Sequence, residues 1–222
     1  MKLLDYDTEK SFDYENGFYL TSDIRRMGKL LAHFRLYSQI MNLPGHVVEC
    51  GVFKGASFIR FATFRELFES SYSRKIIGFD TFGKFPSQKN PEDDKYAKEH
   101  NEQTGTGISS SEFEKVMKHK NITNYELVIG DINETVPEYV KKNPQLKIAM
   151  LHIDVDVYEP TMTILKNLYH KVVPSGLIVL DDYSTVPGET RAVDEFFSKK
   201  KIKMSKFKFS HIPVYFRKNE YD

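Results

Sequence analysis

Ile148-Ala-Met-Leu-His-Ile-Asp154-Val-Asp156-Val-Tyr158 and Leu177-Ile-Val-Leu-Asp181-Asp182-Tyr183 are two apolar runs that each end in carboxylates. Between them, Thr161-Met-Thr-Ile-Leu-Lys-Asn-Leu-Tyr169 places apolar residues at helical spacing, and Pro174-Ser-Gly176 closes the segment. Strand, helix and strand read as a βαβ unit, whose crossover is right-handed in nearly all cases and whose strands are therefore parallel. In an open parallel sheet, ligands sit beyond the carboxyl ends of the strands. Both carboxylate clusters fall at that edge, so the chemistry is expected there.

Further strands lie upstream. His46-Val-Val-Glu-Cys50 is short and apolar, runs into Gly51-Val-Phe-Lys-Gly55-Ala-Ser57, and leads to a helix with Phe58, Phe61, Ala62 and Phe68 inward. Lys75-Ile-Ile-Gly-Phe-Asp80 ends in an acid, and Tyr125-Glu-Leu-Val-Ile-Gly130 is followed by Asp131. Before them, Ser22 is a candidate N-cap for a helix reaching Asn42, with Met27, Leu30, Leu31, Phe34, Tyr37 and Met41 as its apolar stripe. Residues 1–20 are aromatic and acidic without clear periodicity and read as an arm. Residues 83–108 are polar, with Pro86 and Pro91, and read as an active-site lid or a long loop. Ser111-Glu-Phe-Glu114 looks like a capping box. After a helix near Glu189–Lys199, Lys206–Ile212 and Val214–Arg217 are expected to pair as an antiparallel hairpin at the sheet edge.

The bulk properties narrow the class. A chain of 222 residues with 40% hydrophobic content suits a single α/β domain. Its 32 Lys and Arg against 31 Asp and Glu leave a net charge of +1, which argues against non-specific binding to nucleic acid or anionic membranes. The longest apolar runs have strand length, so no membrane span is expected. The N-terminus lacks the apolar region of a secretory signal. A single cysteine, Cys50, excludes an internal disulfide and any cysteine-based zinc cluster, and reads as an inert buried thiol. A cytoplasmic location is expected.

The turn after the first of these strands departs from the dinucleotide fingerprint, because position 53, where the middle glycine would stand, is Phe. A bulky residue there fits a diphosphate poorly. A smaller, partly cationic ligand suits the turn better, and Glu49 would help hold it; the alternative is a glycine turn that serves packing only. Asp80 is placed where an acid commonly accepts both hydroxyls of a cofactor ribose, or else caps a helix. Asp154, Asp181 and Asp182 would meet at adjacent strand ends. Such a group either holds protons or binds a cation, and oxygen-only ligands favour Mg²⁺, Ca²⁺ or Mn²⁺. Asp181 and Asp182 converge only if their strand ends there. Asp156 reads as a cap of the following helix or as a member of the cluster. His152 is expected to be a hydrogen-bonded core residue, and His100 a weak candidate for substrate contact.

Val48-Glu-Cys-Gly-Val-Phe-Lys-Gly-Ala-Ser57, Gly78-Phe-Asp-Thr-Phe82, Leu151-His-Ile-Asp-Val-Asp-Val-Tyr158 with Thr161, and Asp181-Asp-Tyr183 together resemble the macrocin O-methyltransferase family; Gly188 and Ala192-Val-Asp-Glu-Phe196 look similar too. The resemblance implies a class I methyltransferase fold, Rossmann-like, with a mostly parallel seven-stranded sheet and helices on both faces. It implies S-adenosylmethionine as cofactor and Mg²⁺-dependent methylation of a sugar hydroxyl, on a nucleotide-linked sugar, a surface polysaccharide or a glycosylated natural product. Glu49, Gly51, Gly55 and Ser57 would line the methionine side of the cofactor. Asp80, with Thr81 and Phe82, would take the ribose, and Gly130 with Asp131 would lie near the adenine. Asp154, Asp181 and Asp182 would hold the metal, with Asp154 as general base. Two other readings stand beside this one: an NAD(P)-dependent oxidoreductase, disfavoured by the missing glycine, and a non-catalytic protein that keeps the fold. Homodimerisation through the aromatic arm is a further expectation.

Overall fold

The computed structural model describes residues 1–219. A short hairpin of β1 (Lys2–Leu3) and β2 (Tyr6–Asp7) and helix α1 (Ser11–Thr21) open the chain. The body is a six-stranded sheet of β3 (His46–Cys50), β4 (Ile76–Asp80), β5 (Tyr125–Ile129), β6 (Ile148–Ile153), β7 (Val172–Leu180) and β8 (Val214–Arg217). Its order is β5-β4-β3-β6-β7-β8, and every neighbouring pair is parallel except β7 with β8. The strand order reverses between β3 and β6. That reversal opens the crevice in which such sheets bind ligands.

The two sheet faces bury different helices. Val47, Met150, Leu177 and Val179 pack under α2 (Ile24–Ser38), α3 (Ala56–Phe68) and α5 (Ser110–His119), through Leu36, Tyr37, Phe58, Phe61, Phe113 and Met117. Val48, Cys50, Leu151, Ile153, Ile178 and Leu180 pack under α6 (Ile132–Lys142), α7 (Tyr158–Leu168) and α8 (Pro187–Phe196). Side chains alternate along each strand, so Glu49 in β3 and His152 in β6, which pair in register, share the α2–α3 face. Cys50 is fully buried, and burial pushes its thiol pKa well up.

Several boundaries differ from the sequence reading. Among the described residues the sheet has six strands rather than seven: Lys206–Ile212 forms no strand, and a single bridge joins Ser205 to Tyr215. Pro174-Ser-Gly176 lies inside β7, where the pairing with β6 shifts register between Ile148 and Met150 and Ser175 takes a φ of 63°. The helix expected from Ser22 begins at Ile24 with Asp23 as its cap, and Leu31, assigned to its apolar stripe, is exposed. Phe68, expected inward, is also exposed. The cap of α5 is Ser109, whose Oγ accepts from the Glu112 N–H, two residues ahead of the expected box. The polar stretch 83–108 contains a regular helix, α4 (Pro91–Thr104), capped by Asn90. The arm is likewise helical in α1, which buries no residue.

Candidate active site

Three loops at the reversal point carry a non-glycine residue in the left-handed region: Phe53 after β3, Phe82 after β4 and Asp156 after β6, with φ of 50°, 51° and 62°. Such strain costs on the order of 1–3 kcal/mol per residue and collects at functional sites. The glycines beside them are held by the chain's own packing. At Gly51 (φ 92°) a Cβ would stand 1.7 Å from the Asp154 carbonyl oxygen, and at Gly55 (φ 83°) 2.2 Å from the Phe113 ring. Asp80 fastens two loops together: one carboxylate oxygen accepts the N–H groups of Val52 (2.8 Å) and Phe53 (2.9 Å), and the other accepts that of Phe82 (2.6 Å).

A cavity of about 410 Å³ opens over these loops, in the size range of small-molecule sites. Gly51, Ser57, Asp80, Thr81 and Asp131 border it, as do Asp154, Asp156, Asp181 and Asp182. Asp131 also caps α6 by accepting the Asn133 N–H. From α4, Tyr96, His100 and Asn101 form another wall. Glu49, Gly55, Phe82 and Gly130, also named from the sequence, lie outside this lining.

The acids gather because β7 ends at Leu180, which frees Asp181 and Asp182 to turn toward Asp154. Asp154, Asp181 and Asp182 each offer an oxygen within 4.8 Å of the others. Asp156 joins them rather than capping α7: the cap position is Val157, and the Tyr96 hydroxyl donates to Asp156 Oδ1 at 3.0 Å. Burial, then repulsion from Asp181, pushes the Asp154 pKa well up. Burial, then Asp156 and Asp181, raises Asp182 to about 8. Asp181 goes the other way. Burial opposes its charge, but the His152 hydrogen bond and the Lys29 ammonium outweigh burial and hold it below the ordinary carboxylate range.

Under this cluster runs a buried polar row. His152 Nδ1 faces Glu49 Oε1 at 3.0 Å and its Nε2 faces Asp181 Oδ1 at 3.4 Å, the hydrogen-bonded core role expected for it. Burial disfavours the imidazolium, but the bonds to Asp181 and Glu49 prevail and raise its pKa to about 10. Because the folded pKa exceeds the unfolded one, the stabilisation is complete below about pH 6.5 and is lost as pH rises through about 10. Asp182 contributes in the same direction, losing its stabilisation by about pH 8. The urea midpoint of the metal-free protein should therefore fall between pH 7 and 10, and less steeply in His152→Gln. A flat wild-type profile would mean that His152 is neutral in the fold and that Asp182 is not raised.

Four site residues carried no signal in the sequence reading. Lys29 on α2 places its ammonium 2.5 Å from Asp181 Oδ2. His33, one turn further on, borders the cavity with both ring nitrogens buried and unpartnered among the described residues. Glu189 on α8 is fully buried, accepts the Asp182 N–H at 3.2 Å, and leaves its Oε2 without a partner among the described residues, as Glu49 does. Arg60 on α3 borders the cavity too. Lys29 and His33 could have been found by spacing: with Arg26 they recur at helical intervals on one side of α2.

The fold is that of class I methyltransferases. The model of the macrocin O-methyltransferase family matches residues 21–218, and the chain belongs to that family. Over 167 residues it is 29% identical to the demethyldecarbamoylnovobiocin O-methyltransferase of Streptomyces niveus, covering 71% of this chain but only 60% of that enzyme. Among solved structures it is similar to a calicheamicin methyltransferase (TM-score 0.77, 26% identity, 97% of this chain and 88% of that one). The apo form of a TDP-rhamnose 3′-O-methyltransferase of calicheamicin biosynthesis superimposes with a TM-score of 0.69 at 28% identity, covering 97% and 89% of the two chains. No described helix is long and apolar enough to cross a membrane.

Proposed function

We propose that this chain is an S-adenosylmethionine-dependent O-methyltransferase acting on a sugar hydroxyl, with Mg²⁺ or another oxygen-preferring divalent ion at Asp154, Asp181 and Asp182. The observation that carries the reading is the convergence of these three carboxylates at the ends of β6 and β7, facing a cavity whose other wall is the glycine turn after β3. The donor set fits such an ion: it is all oxygen, and two buried carboxylate oxygens nearby, on Glu49 and Glu189, have no partner among the described residues. A divalent ion here would supply a Lewis acid for two neighbouring hydroxyls, making one more acidic.

The chain's own residues do the rest. Gly51, Ser57, Asp80, Thr81 and Asp131 border the part of the cavity assigned to the cofactor, with Gly51 and Ser57 toward its methionine end, Asp80 and Thr81 toward the ribose and Asp131 toward the adenine. Glu49, Gly55, Phe82 and Gly130 position these loops from behind. Methyl transfer from a sulfonium needs no covalent enzyme intermediate, only an aligned oxygen relieved of its proton. Asp154 is assigned that proton because it stands at the end of β6 among the carboxylates that border the cavity. One observation favours Asp156 instead: it borders the same cavity and is oriented by Tyr96. The acceptor sugar lies between the strand-end acids and α4, beside Tyr96 and His100. Association between copies is assigned to the N-terminal segment, where Phe12, Leu20 and Ile24 are exposed.

Calorimetric titration with S-adenosylhomocysteine, with and without Mg²⁺, tests the central claim. Micromolar binding is the expected result. No heat in either condition would overturn the cofactor assignment.

A further inference from the structure

Four cationic side chains border the cavity: Arg26 and Lys29 from α2, Lys54 from the turn after β3, and Arg60 from α3. Two are already engaged. Lys29 pairs with Asp181, and the Lys54 ammonium donates to the Thr104 carbonyl at 2.8 Å. The Arg26 and Arg60 side chains have neither a hydrogen bond nor an ion pair among the described residues. They also feel each other: burial, then the Arg26 charge, lowers the pKa of Arg60. Asp181 and Glu49 offset the Arg60 charge without forming an ion pair with it, so two guanidiniums, one of them half-buried, border the cavity with their donors open and form a site prepared for an anion.

Resting on the methyltransferase reading, we infer that Arg26 and Arg60 bind a diphosphate carried by the acceptor, so that the sugar is methylated as a nucleoside-diphosphate sugar. The cofactor answers to this site poorly. Its methionine end carries an ammonium beside its carboxylate, and two guanidiniums would repel that ammonium. A diphosphate brings at least two negative charges and no positive one, and its oxygens suit the planar fork of a guanidinium. The layout agrees. The guanidiniums sit on the α2–α3 wall and the acids at the strand ends, so a sugar diphosphate bridges the two, hydroxyls toward Asp154 and Asp182 and phosphates toward the helices.

The test is calorimetric titration of the full chain, saturated with S-adenosylhomocysteine, with inorganic pyrophosphate, dTDP, UDP and an uncharged methyl glycoside. The wild type should bind a nucleoside diphosphate more tightly than the glycoside. Arg60→Gln and Arg26→Gln should each weaken it by about tenfold, the loss of one charge-assisted contact, with the S-adenosylhomocysteine affinity held within about threefold. Neither arginine side chain makes a hydrogen bond or an ion pair among the described residues, so neither substitution strands a hydrogen-bonded buried partner. Pyrophosphate binding that depends on both arginines, without nucleotide binding, would keep the anion site but overturn the nucleoside carrier. Failure of all phosphates to bind a protein that does bind S-adenosylhomocysteine would overturn the inference while sparing the methyltransferase reading. Variants that lose S-adenosylhomocysteine instead would give the guanidiniums to the cofactor carboxylate. Failure of S-adenosylhomocysteine alone, with arginine-dependent pyrophosphate binding intact, would overturn the methyltransferase reading but leave the anion site standing.

Discussion

Asp154→Asn is expected to lower kcat by about a thousandfold or more, because it removes a general base, worth roughly 10²–10⁴ in rate, together with one ligand of the cation. Turnover is followed as S-adenosylhomocysteine release with nucleoside-diphosphate sugars and glycosides as acceptors, and Mn²⁺ affinity is measured alongside it. Cofactor affinity measured in chelator should change little, since Asp154 faces Asp181 and Asp182 rather than the loops after β4 and β5. Asp156→Asn is the control that divides the roles. If Asp154→Asn loses Mn²⁺ but Asp156→Asn alone loses turnover with Mn²⁺ still bound, the proton goes to Asp156 and Asp154 is a ligand only. An Asp154→Asn enzyme with full activity would remove it from the mechanism altogether.

Lys29→Met should destabilise the metal-free protein by about 3 kcal/mol, because removing one partner of a buried ion pair leaves the other charge uncompensated. The pair is unequal: the Asp181 side chain is 2% exposed and that of Lys29 27%. Burial works against the Lys29 ammonium, yet attraction to Asp181 and Asp154 raises its pKa above the usual lysine value. The ammonium and a divalent ion want the same oxygen, Asp181 Oδ2. Urea unfolding in chelator should therefore show the loss, and Mg²⁺ should restore more stability to Lys29→Met than it adds to the wild type. Equal stability of variant and wild type in chelator would mean that Asp181 takes up a proton as soon as the lysine is gone.

The core of this arrangement could be read from the sequence because two periodicities and one chemical signal coincide. Apolar runs of strand length that stop at Asp80, Asp154 and Asp181 fix both the strands and the edge at which they end. Helix α4 escaped that logic, since only Asp93 and Ala97 are buried and no apolar stripe exists to detect. Its start was nevertheless written in Asn90-Pro91-Glu-Asp-Asp, a cap, a proline at the first position and an acidic first turn. Helix α6 was missed because Pro137 interrupts it and because Asp131 looked like a ligand rather than a cap. Lys29 and His33 share a helical spacing with Arg26, but spacing alone does not say what that side of the helix faces. A polar side of an amphipathic helix ordinarily faces water, and only the tertiary fold turns this one onto a buried acid. Asp80 shows the reverse: its position was legible, but not that three backbone N–H groups would already claim its carboxylate.

The row Glu49–His152–Asp181 spans three adjacent strands, from the penultimate residue of β3 to the residue just after β7. A cation that draws on Asp181 changes what His152 can offer Glu49, and a ligand seated on the turn acts along the same row in the opposite direction. Were both proposed sites filled, they would share a coupling free energy, and coupling is reciprocal: whatever factor the metal lent to cofactor affinity, the cofactor would return to the metal. A divalent ion held there at constant concentration would then load in step with the supply of the methyl donor.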